Sequence, residues 1–179
     1  MEIKNNTSVI IQARFNANRF KGKVLKRING KSILEILVTR LKKSKKIDGI
    51  IVACPNTPSD KKIINECKKL NIKYFQGPEE NVLKRFFLAA KKFKIKNIIR
   101  ITADCPFVDS MMLDDYVSIF HKEKCDYLSN TITPTYPDGF DIEIFNYKSL
   151  KERYFSKNIQ HEKEHVTYGI MNLKKYKKH

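Results

Sequence analysis

The sequence predicts an α/β protein with a doubly wound, mostly parallel central sheet. Short apolar runs alternate four times with amphipathic stretches along residues 8–120. This alternation is typical of strands connected by helices that pack on both faces of one sheet. The chain has 179 residues, of which 41% are apolar, enough for one domain with a substantial core. We therefore expect a single domain over residues 1–179, with ligands bound beyond the carboxyl ends of the strands.

Four apolar runs have the length and composition of buried parallel strands. They are Ser8–Gln12, Gly49–Cys54, Ile72–Phe75 and Asn97–Thr102. Two further runs, Tyr127–Asn130 and Asp141–Phe145, flank a segment rich in Pro and Tyr and are also expected to be strands. Asp141 and Glu143 would then share one face of their strand, because they are two residues apart.

The stretches between the runs carry apolar residues at helical spacing. In the first of them, Lys31–Lys43, Ser32 is a candidate N-cap. Three more helices are expected from Ser59 or Asp60 to Leu70, over Glu79–Phe93, and from Asp109 or Ser110 to Phe120. The last two expected helices begin at Lys148 and Gln160.

Composition narrows the class of partner. A net charge of +17 suits nucleic acid, an anionic surface or anionic small molecules. The lysines are dispersed, which favours solvated helix faces over a nucleic-acid surface. No apolar run approaches the ~18 residues of a membrane helix, and residues 1–7 lack the apolar stretch of a signal peptide. The four cysteines form no Cys-x-x-Cys pair, which disfavours a zinc or redox motif. We expect a cytoplasmic protein with reduced thiols and without membrane or nucleic-acid partners.

The loop after the first strand, Gln12–Lys23, is the strongest candidate for a functional site. It contains the cations Arg14, Arg19, Lys21 and Lys23. Triphosphate binding requires backbone N–H donors together with several fixed cations, and this loop can supply both. The Gly-x-x-x-x-Gly-Lys-Ser/Thr spacing of a P-loop is absent, so a basic surface loop is the alternative that spacing alone leaves open.

Asp104 follows the fourth strand directly, where the ligand crevice of a doubly wound sheet is expected. Mg²⁺ is often held by one or two carboxylates together with the phosphates of a substrate. Asp104 is therefore a candidate metal ligand. The other interpretation is that Asp104 caps the turn before Pro106.

Six ordered segments give the sequence a specific resemblance. They are IIQAR at 10–14 with KGKVL and GKSILE at 21–35, DGIIVAC at 48–54, NVLKRFFLAA at 81–90, IIRITADCPFVD at 98–109, YPDGFDIEIF at 136–145 and EHVT at 164–167. The chain resembles the cytidylyltransferases of spore-coat polysaccharide synthesis, which are related to the CMP-Kdo and CMP-sialic acid synthetases. The resemblance covers nearly the whole chain. It implies a Rossmann-like, three-layer (GT-A-like) nucleotidyltransferase that transfers CMP from CTP to a sugar or sugar acid in surface polysaccharide biosynthesis, releasing pyrophosphate.

The resemblance also implies roles for the matching positions. Its catalytic positions are Arg14, Lys23 and Asp104, and its Mg²⁺ ligands are Asp104 and Asp141. Its nucleotide-binding positions are Gln12, Ala13, Arg14, Arg19, Lys23 and Arg85. Its acceptor-binding positions are Asp138, Asp141, Glu143 and His165. The subregion Asp126–Phe145 is expected to form the acceptor side and the contact of a homodimer.

Two departures from the family pattern leave alternatives open. Asn16, Ala17 and Asn18 stand where the family has Gly-Ser-Ser, which removes hydroxyl groups that could contact phosphate. The family also continues beyond EHVT to a second metal carboxylate, whereas this sequence stops at His179. The chain is then a fragment, or is short with impaired catalysis, or Asp141 or a partner substitutes. A nucleotide-binding protein without turnover, or a basic nucleic-acid-binding module, is the alternative to an enzyme.

Residues His161–His165 also match the His-Glu-x-x-His signature of zinc proteases. Histidines four residues apart share one helix face and could bind zinc. A catalytic zinc needs a third protein ligand, and His179 is the only histidine further along the sequence. Because EHVT accounts for the same residues, we favour the nucleotidyltransferase over the protease.

Overall fold

The computed structural model describes residues 6–16, 20–134, 136–156 and 160–179. Its strands are β1 (Thr7–Gln12), β2 (Arg27–Ile28), β3 (Lys31–Ser32), β4 (Gly49–Pro55), β5 (Lys73–Gly77), β6 (Asn97–Thr102), β7 (Tyr127–Ser129) and β8 (Glu143–Asn146). Its α-helices are α1 (Ile33–Leu41), α2 (Lys61–Lys69), α3 (Val82–Lys92), α4 (Ser110–Glu123), α5 (Tyr147–Phe155), α6 (Gln160–Glu164) and α7 (Tyr168–Asn172). A 3₁₀ turn spans Lys23–Leu25.

The central sheet has six strands in the order β5-β4-β1-β6-β8-β7. The pairs that β1 forms with β4 and β6 are parallel, as is β4 with β5, whereas β8 runs antiparallel to both β6 and β7. Strands β2 and β3 form a separate antiparallel hairpin. The structure thus confirms the predicted α/β class and the mostly parallel sheet.

Both faces of β1 are covered, which explains its unbroken run of apolar residues. Val9 and Ile11 belong to a core cluster that includes Leu34 of α1 and Leu113 of α4. Ile10, on the opposite face, belongs to a second cluster that contains residues of α3, α5 and α7. Helix, sheet and helix therefore form three layers. No helix in the described ranges is both long enough and apolar enough to cross a membrane.

In the described ranges α1, α3, α4 and α5 each begin with an N-cap whose side-chain oxygen accepts a backbone N–H of the first turn. Ser32 accepts from Glu35 N at 3.0 Å, as the sequence predicts for α1. Asp109 caps α4 in the same way, accepting from Met112 N at 2.9 Å. The prediction that the third helix begins at Glu79 is wrong by about one turn, because Asn81 caps α3.

The carboxyl-terminal part differs from its sequence prediction in two places. The helix expected from Gln160 ends at Glu164, and α7 begins only at Tyr168. The strand expected from Asp141 begins at Glu143, because Asn130 accepts the N–H of Ile142 with its side chain. Asp141 therefore precedes the strand and is exposed, whereas Glu143 is buried, and the predicted common face is wrong.

Candidate active site

A pocket of about 860 Å³ opens at the carboxyl ends of β1 and β6. This is the edge of the sheet where ligands of doubly wound proteins bind. The loop after β1, the loop before α3, and α6 with the turn after it form its walls. Its lining consists of Gln12, Arg14, Phe20, Lys23, Val24, Glu79, Glu80, Val82, Arg100, Thr102, Ala103, Asp104, Gln160, Glu164 and His165.

The loop after β1 is held at both of its described ends. Phe15 N donates to Asp60 Oδ1 at 2.8 Å, and Gly22 N donates to Phe15 O at 2.7 Å. Asp60 is 1% exposed, so this anchor is fixed to the start of α2. Gly22 has φ 71°, a left-handed conformation that favours glycine. The predicted nucleotide contact Arg19 lies outside the described residues.

Arg14 and Lys23 of this loop line the pocket, as does Gln12 at the end of β1. Ala13 continues the strand, with its N–H donating to Ala53 O at 3.1 Å. The predicted nucleotide positions Gln12, Arg14 and Lys23 are therefore brought together at one edge of the sheet.

Lys23 Nζ donates to Asp104 Oδ2 across the pocket floor. The two residues are far apart in sequence and meet because β1 and β6 are neighbours in the sheet. Burial alone would raise the pKa of Asp104, but hydrogen bonds from Lys23 and Thr102 and the positive charge of Lys23 leave it below its ordinary value. Asp104 is therefore a carboxylate at neutral pH, which is the form that can bind a cation.

Asp141 lies close enough to other acids for their charges to affect it. Partial burial, and then the negative charges of Asp138, Glu143 and Asp104, raise its pKa. Asp104 and Asp141 thus lie at the same edge of the sheet, because Asp141 precedes β8 and β8 runs antiparallel to β6, but Asp141 is absent from the pocket lining. Within the described ranges no group of three or more His, Cys, Asp or Glu side chains could hold a metal. A Mg²⁺ ion bound at this edge would take most of its ligands from phosphate and water.

Arg100 of β6 is a pocket residue to which the sequence analysis gave no role. Its Nε donates to Gln12 Oε1 at 3.0 Å, and its Nη1 is paired with Glu143 Oε2. Glu143 is 7% exposed and is absent from the pocket lining. The structure therefore places Glu143 beneath the pocket, not on its wall as expected for an acceptor ligand. An arginine inside a strand that is otherwise buried was the sequence signal for this site.

Arg85 of α3 also lies beneath the pocket, although the resemblance implied a position near the nucleotide. It is 1% exposed, and its Nη1 donates to Pro78 O at 2.7 Å. Its Nε has no hydrogen-bond partner among the described residues. Burial lowers the pKa of Arg85 to about 10, so the side chain stays charged at neutral pH. Arg85 thus supports the loop that contributes Glu79 and Glu80 to the pocket.

His165 directly follows α6 and lines the pocket. Its ring lies 4.3 Å from that of His161, and His161 also contacts Tyr168 edge-on. Glu162 accepts two hydrogen bonds from Arg153, at 2.9 and 2.7 Å. In a zinc protease with the His-Glu-x-x-His signature this glutamate would be the general base. Its pairing with Arg153 therefore disfavours the protease hypothesis. Asp138 is exposed and is absent from the lining.

Comparison with known proteins gives consistent matches. The sequence model of the cytidylyltransferase family matches residues 8–176. An uncharacterized protein of Methanocaldococcus jannaschii is 39% identical over 158 residues, which are 88% of this chain and 64% of that protein. The spore coat polysaccharide biosynthesis protein SpsF of Bacillus subtilis is 33% identical over 173 residues, 94% of this chain and 71% of that protein. The chain thus spans only part of each relative's length.

Solved structures agree with the sequence matches. A cytidylyltransferase from Leptospira borgpetersenii has a TM-score of 0.91 and 31% identity, and the match covers 97% of this chain and 74% of that one. A CMP:2-keto-3-deoxy-manno-octonic acid synthetase in complex with CTP has a TM-score of 0.73 at 13% identity, over 97% of this chain and 88% of that one. The first supports a common family, and the second supports the fold alone.

Proposed function

The chain belongs to the cytidylyltransferase family, and we propose that it transfers CMP from CTP to a sugar or sugar-acid acceptor with release of pyrophosphate. The observation that carries the proposal is the pair Lys23–Asp104 on the pocket floor. It puts a cation and a carboxylate side by side at the carboxyl edge of the sheet. This combination suits a metal–triphosphate complex, in which the anionic phosphates and the cation each need a partner.

In this reaction an acceptor oxygen attacks the α-phosphorus of CTP, and pyrophosphate leaves with the electrons of the broken bond. Catalysis of phosphoryl-type transfers relies on alignment and on neutralising charge. Arg14 and Lys23 would donate to the phosphate oxygens. Gln12 and Arg100 would fix the other side of the nucleotide. No covalent enzyme intermediate is required.

Asp104 and Asp141 would hold Mg²⁺, which when bound neutralises charge on the triphosphate. Partial burial, and then the negative charges of Asp138, Glu143 and Asp104, raise the pKa of Asp141, and a divalent cation bound beside it would lower that pKa. The acceptor would lie on the side of the pocket nearest Asp138, Asp141 and His165. We also propose surface polysaccharide biosynthesis as the setting, on the strength of the Bacillus relative's name.

The test is pyrophosphate release with CTP and Mg²⁺ and a panel of sugar acids, sugars and phosphorylated alcohols. Asp104→Asn should lower the rate about 100-fold or more, which is the usual cost of removing one preorganised electrostatic group. Glu152→Gln is the matched control, because it removes a carboxylate whose partner, Lys175, lies on the surface. Its rate should equal that of the original chain.

Binding measurements separate the possible failures. CTP that binds without turnover for any acceptor would favour a nucleotide-binding protein without catalysis. Absence of CTP binding, or full activity of Asp104→Asn, would refute the proposed site. Parallel titrations with ATP, GTP and UTP test whether the pocket selects cytosine.

A further inference from the structure

A hydrogen-bond network lies under the pocket, and Glu143 is its centre. Glu143 Oε2 is paired with Arg100 Nη1. Its Oε1 accepts from Tyr127 Oη at 2.8 Å and from Thr167 Oγ1 at 2.5 Å. Both carboxylate oxygens are therefore engaged by protein donors. The partners come from β6, β7 and the turn between α6 and α7, so the network joins parts of the chain that are distant in sequence.

Three of the four residues of the network are almost free of solvent. Glu143 is 7% exposed, Thr167 is 6% exposed and Tyr127 is fully buried. Burial, and then the charge and hydrogen bond of Glu143, raise the pKa of Tyr127, so its phenol stays a donor at neutral pH. A buried carboxylate is stable only with partners that satisfy both its charge and its lone pairs. These three donors satisfy both requirements.

The network reaches two walls of the pocket. Arg100 lines the pocket and also donates to Gln12, which lines it as well. On the other side, Thr167 follows the lining residue His165 by two positions. Glu143 thus connects the end of β1, on the nucleotide side, with the turn that carries His165.

We infer that Glu143 is a positioning residue that orients Arg100 and the turn at residues 165–167 for CMP transfer, without touching either substrate. The inference rests on the proposed function and changes the role that the resemblance implied for Glu143. A planar guanidinium held at Nε by Gln12 and at Nη1 by Glu143 has a fixed plane. Without its contact to Glu143, Arg100 would keep its charge, but its guanidinium would no longer be held in one orientation.

The separating variant is Glu143→Gln. A glutamine oxygen can still accept from Tyr127 and Thr167, but its NH₂ group faces Arg100 and cannot pair with it. We expect kcat to fall about 10- to 100-fold, because small misplacements of a polar group cost rates of this order. The Kd for CTP should rise by a smaller factor, because Arg14 and Lys23 would still bind the phosphates. The control Glu152→Gln should leave both values unchanged.

A second pair of variants tests the hydrogen bond from Thr167 to Glu143. Thr167→Val removes the hydroxyl at nearly constant volume, and Thr167→Ser retains it. We expect kcat to fall in Thr167→Val and to stay close to that of the unaltered protein in Thr167→Ser. Thermal unfolding of each variant identifies any that fail to fold, and those are replaced by Tyr127→Phe, which removes one donor to Glu143.

The exchange rate of the Arg100 Nε–H with water, measured by NMR, is independent of activity. It should be slow in the original chain, faster in Glu143→Gln and slow in Glu152→Gln. An unchanged rate in Glu143→Gln, or a faster rate without loss of kcat, would overturn the inference. If the original chain neither binds CTP nor turns it over, the proposed function fails instead, and the exchange data show whether the network itself exists.

Discussion

Gly22→Ala is the sharpest test of how the loop after β1 is held. A Cβ at this position would lie 2.9 Å from Cε2 of Phe15, and the backbone has φ +71°. The left-handed conformation costs a residue with a Cβ about 1–2 kcal/mol. Overpacking adds about 1–3 kcal/mol, at the lower end here because the half-buried Phe15 ring can rotate. We expect a loss of about 2–3 kcal/mol, or about 4–12 °C in Tm for a chain of this size.

Gly30→Ala is the matched control, because Gly30 has φ +80° but nothing within 4 Å of the added Cβ. It should show the backbone cost alone, so urea unfolding of the two variants isolates the contact with Phe15. Adding Phe15→Ala to each should remove the difference, as a double-mutant cycle would report. If Gly22→Ala is no less stable than Gly30→Ala, Phe15 does not restrain the loop and the reasoning is refuted.

Three further outcomes are expected. The pKa of Asp104 lies below its ordinary 3.8, so its pair with Lys23 stabilises the fold above pH 3.8. This stabilisation is lost as the pH falls through the lowered pKa. Urea unfolding curves of the unaltered protein and of Asp104→Asn should therefore converge below that pKa. Burial raises the pKa of Cys54 and of Cys67 to about 12, so iodoacetamide at pH 8 should label both only after unfolding. Asn81→Ala removes the 2.8 Å cap of α3 and should cost about 1 kcal/mol in unfolding free energy, whereas no loss would contradict the cap.

Local patterns predicted the parts of the fold that depend on local physics. The strand Asn97–Thr102 was predicted with its observed bounds, because an apolar run between polar segments suffices to identify a buried strand. The cap Ser32 was predicted because its side chain bonds a neighbour three residues away. The pairing of Lys23 with Asp104 was predicted only in part. The expected topology placed both residues at one edge of the sheet, but the sequence could not predict the contact between their side chains.

The role of Glu143 could not be predicted from the sequence. Its partners depend on the antiparallel register of β6 and β8, which places Arg100 opposite Glu143, and on a turn that brings Thr167 beneath the sheet. Alternation along a strand identifies a shared face, yet Asp141 lies outside the strand because Asn130 binds the backbone of Ile142. Side-chain bonds of this kind compete with the sheet ladder and leave no periodic signal.

The position of β1 between β4 and β6 also has a consequence for folding kinetics. Ser8 pairs with Gly49 on one side and with Ile98 on the other. Closing the longer of these loops is entropically more costly, and contacts between distant residues form slowly. We therefore expect the edge that carries Asp104 to be completed only after much of the chain has collapsed. In a stopped-flow refolding experiment we expect the capacity to bind nucleotide to return with the slowest phase, after most of the helical signal has been regained.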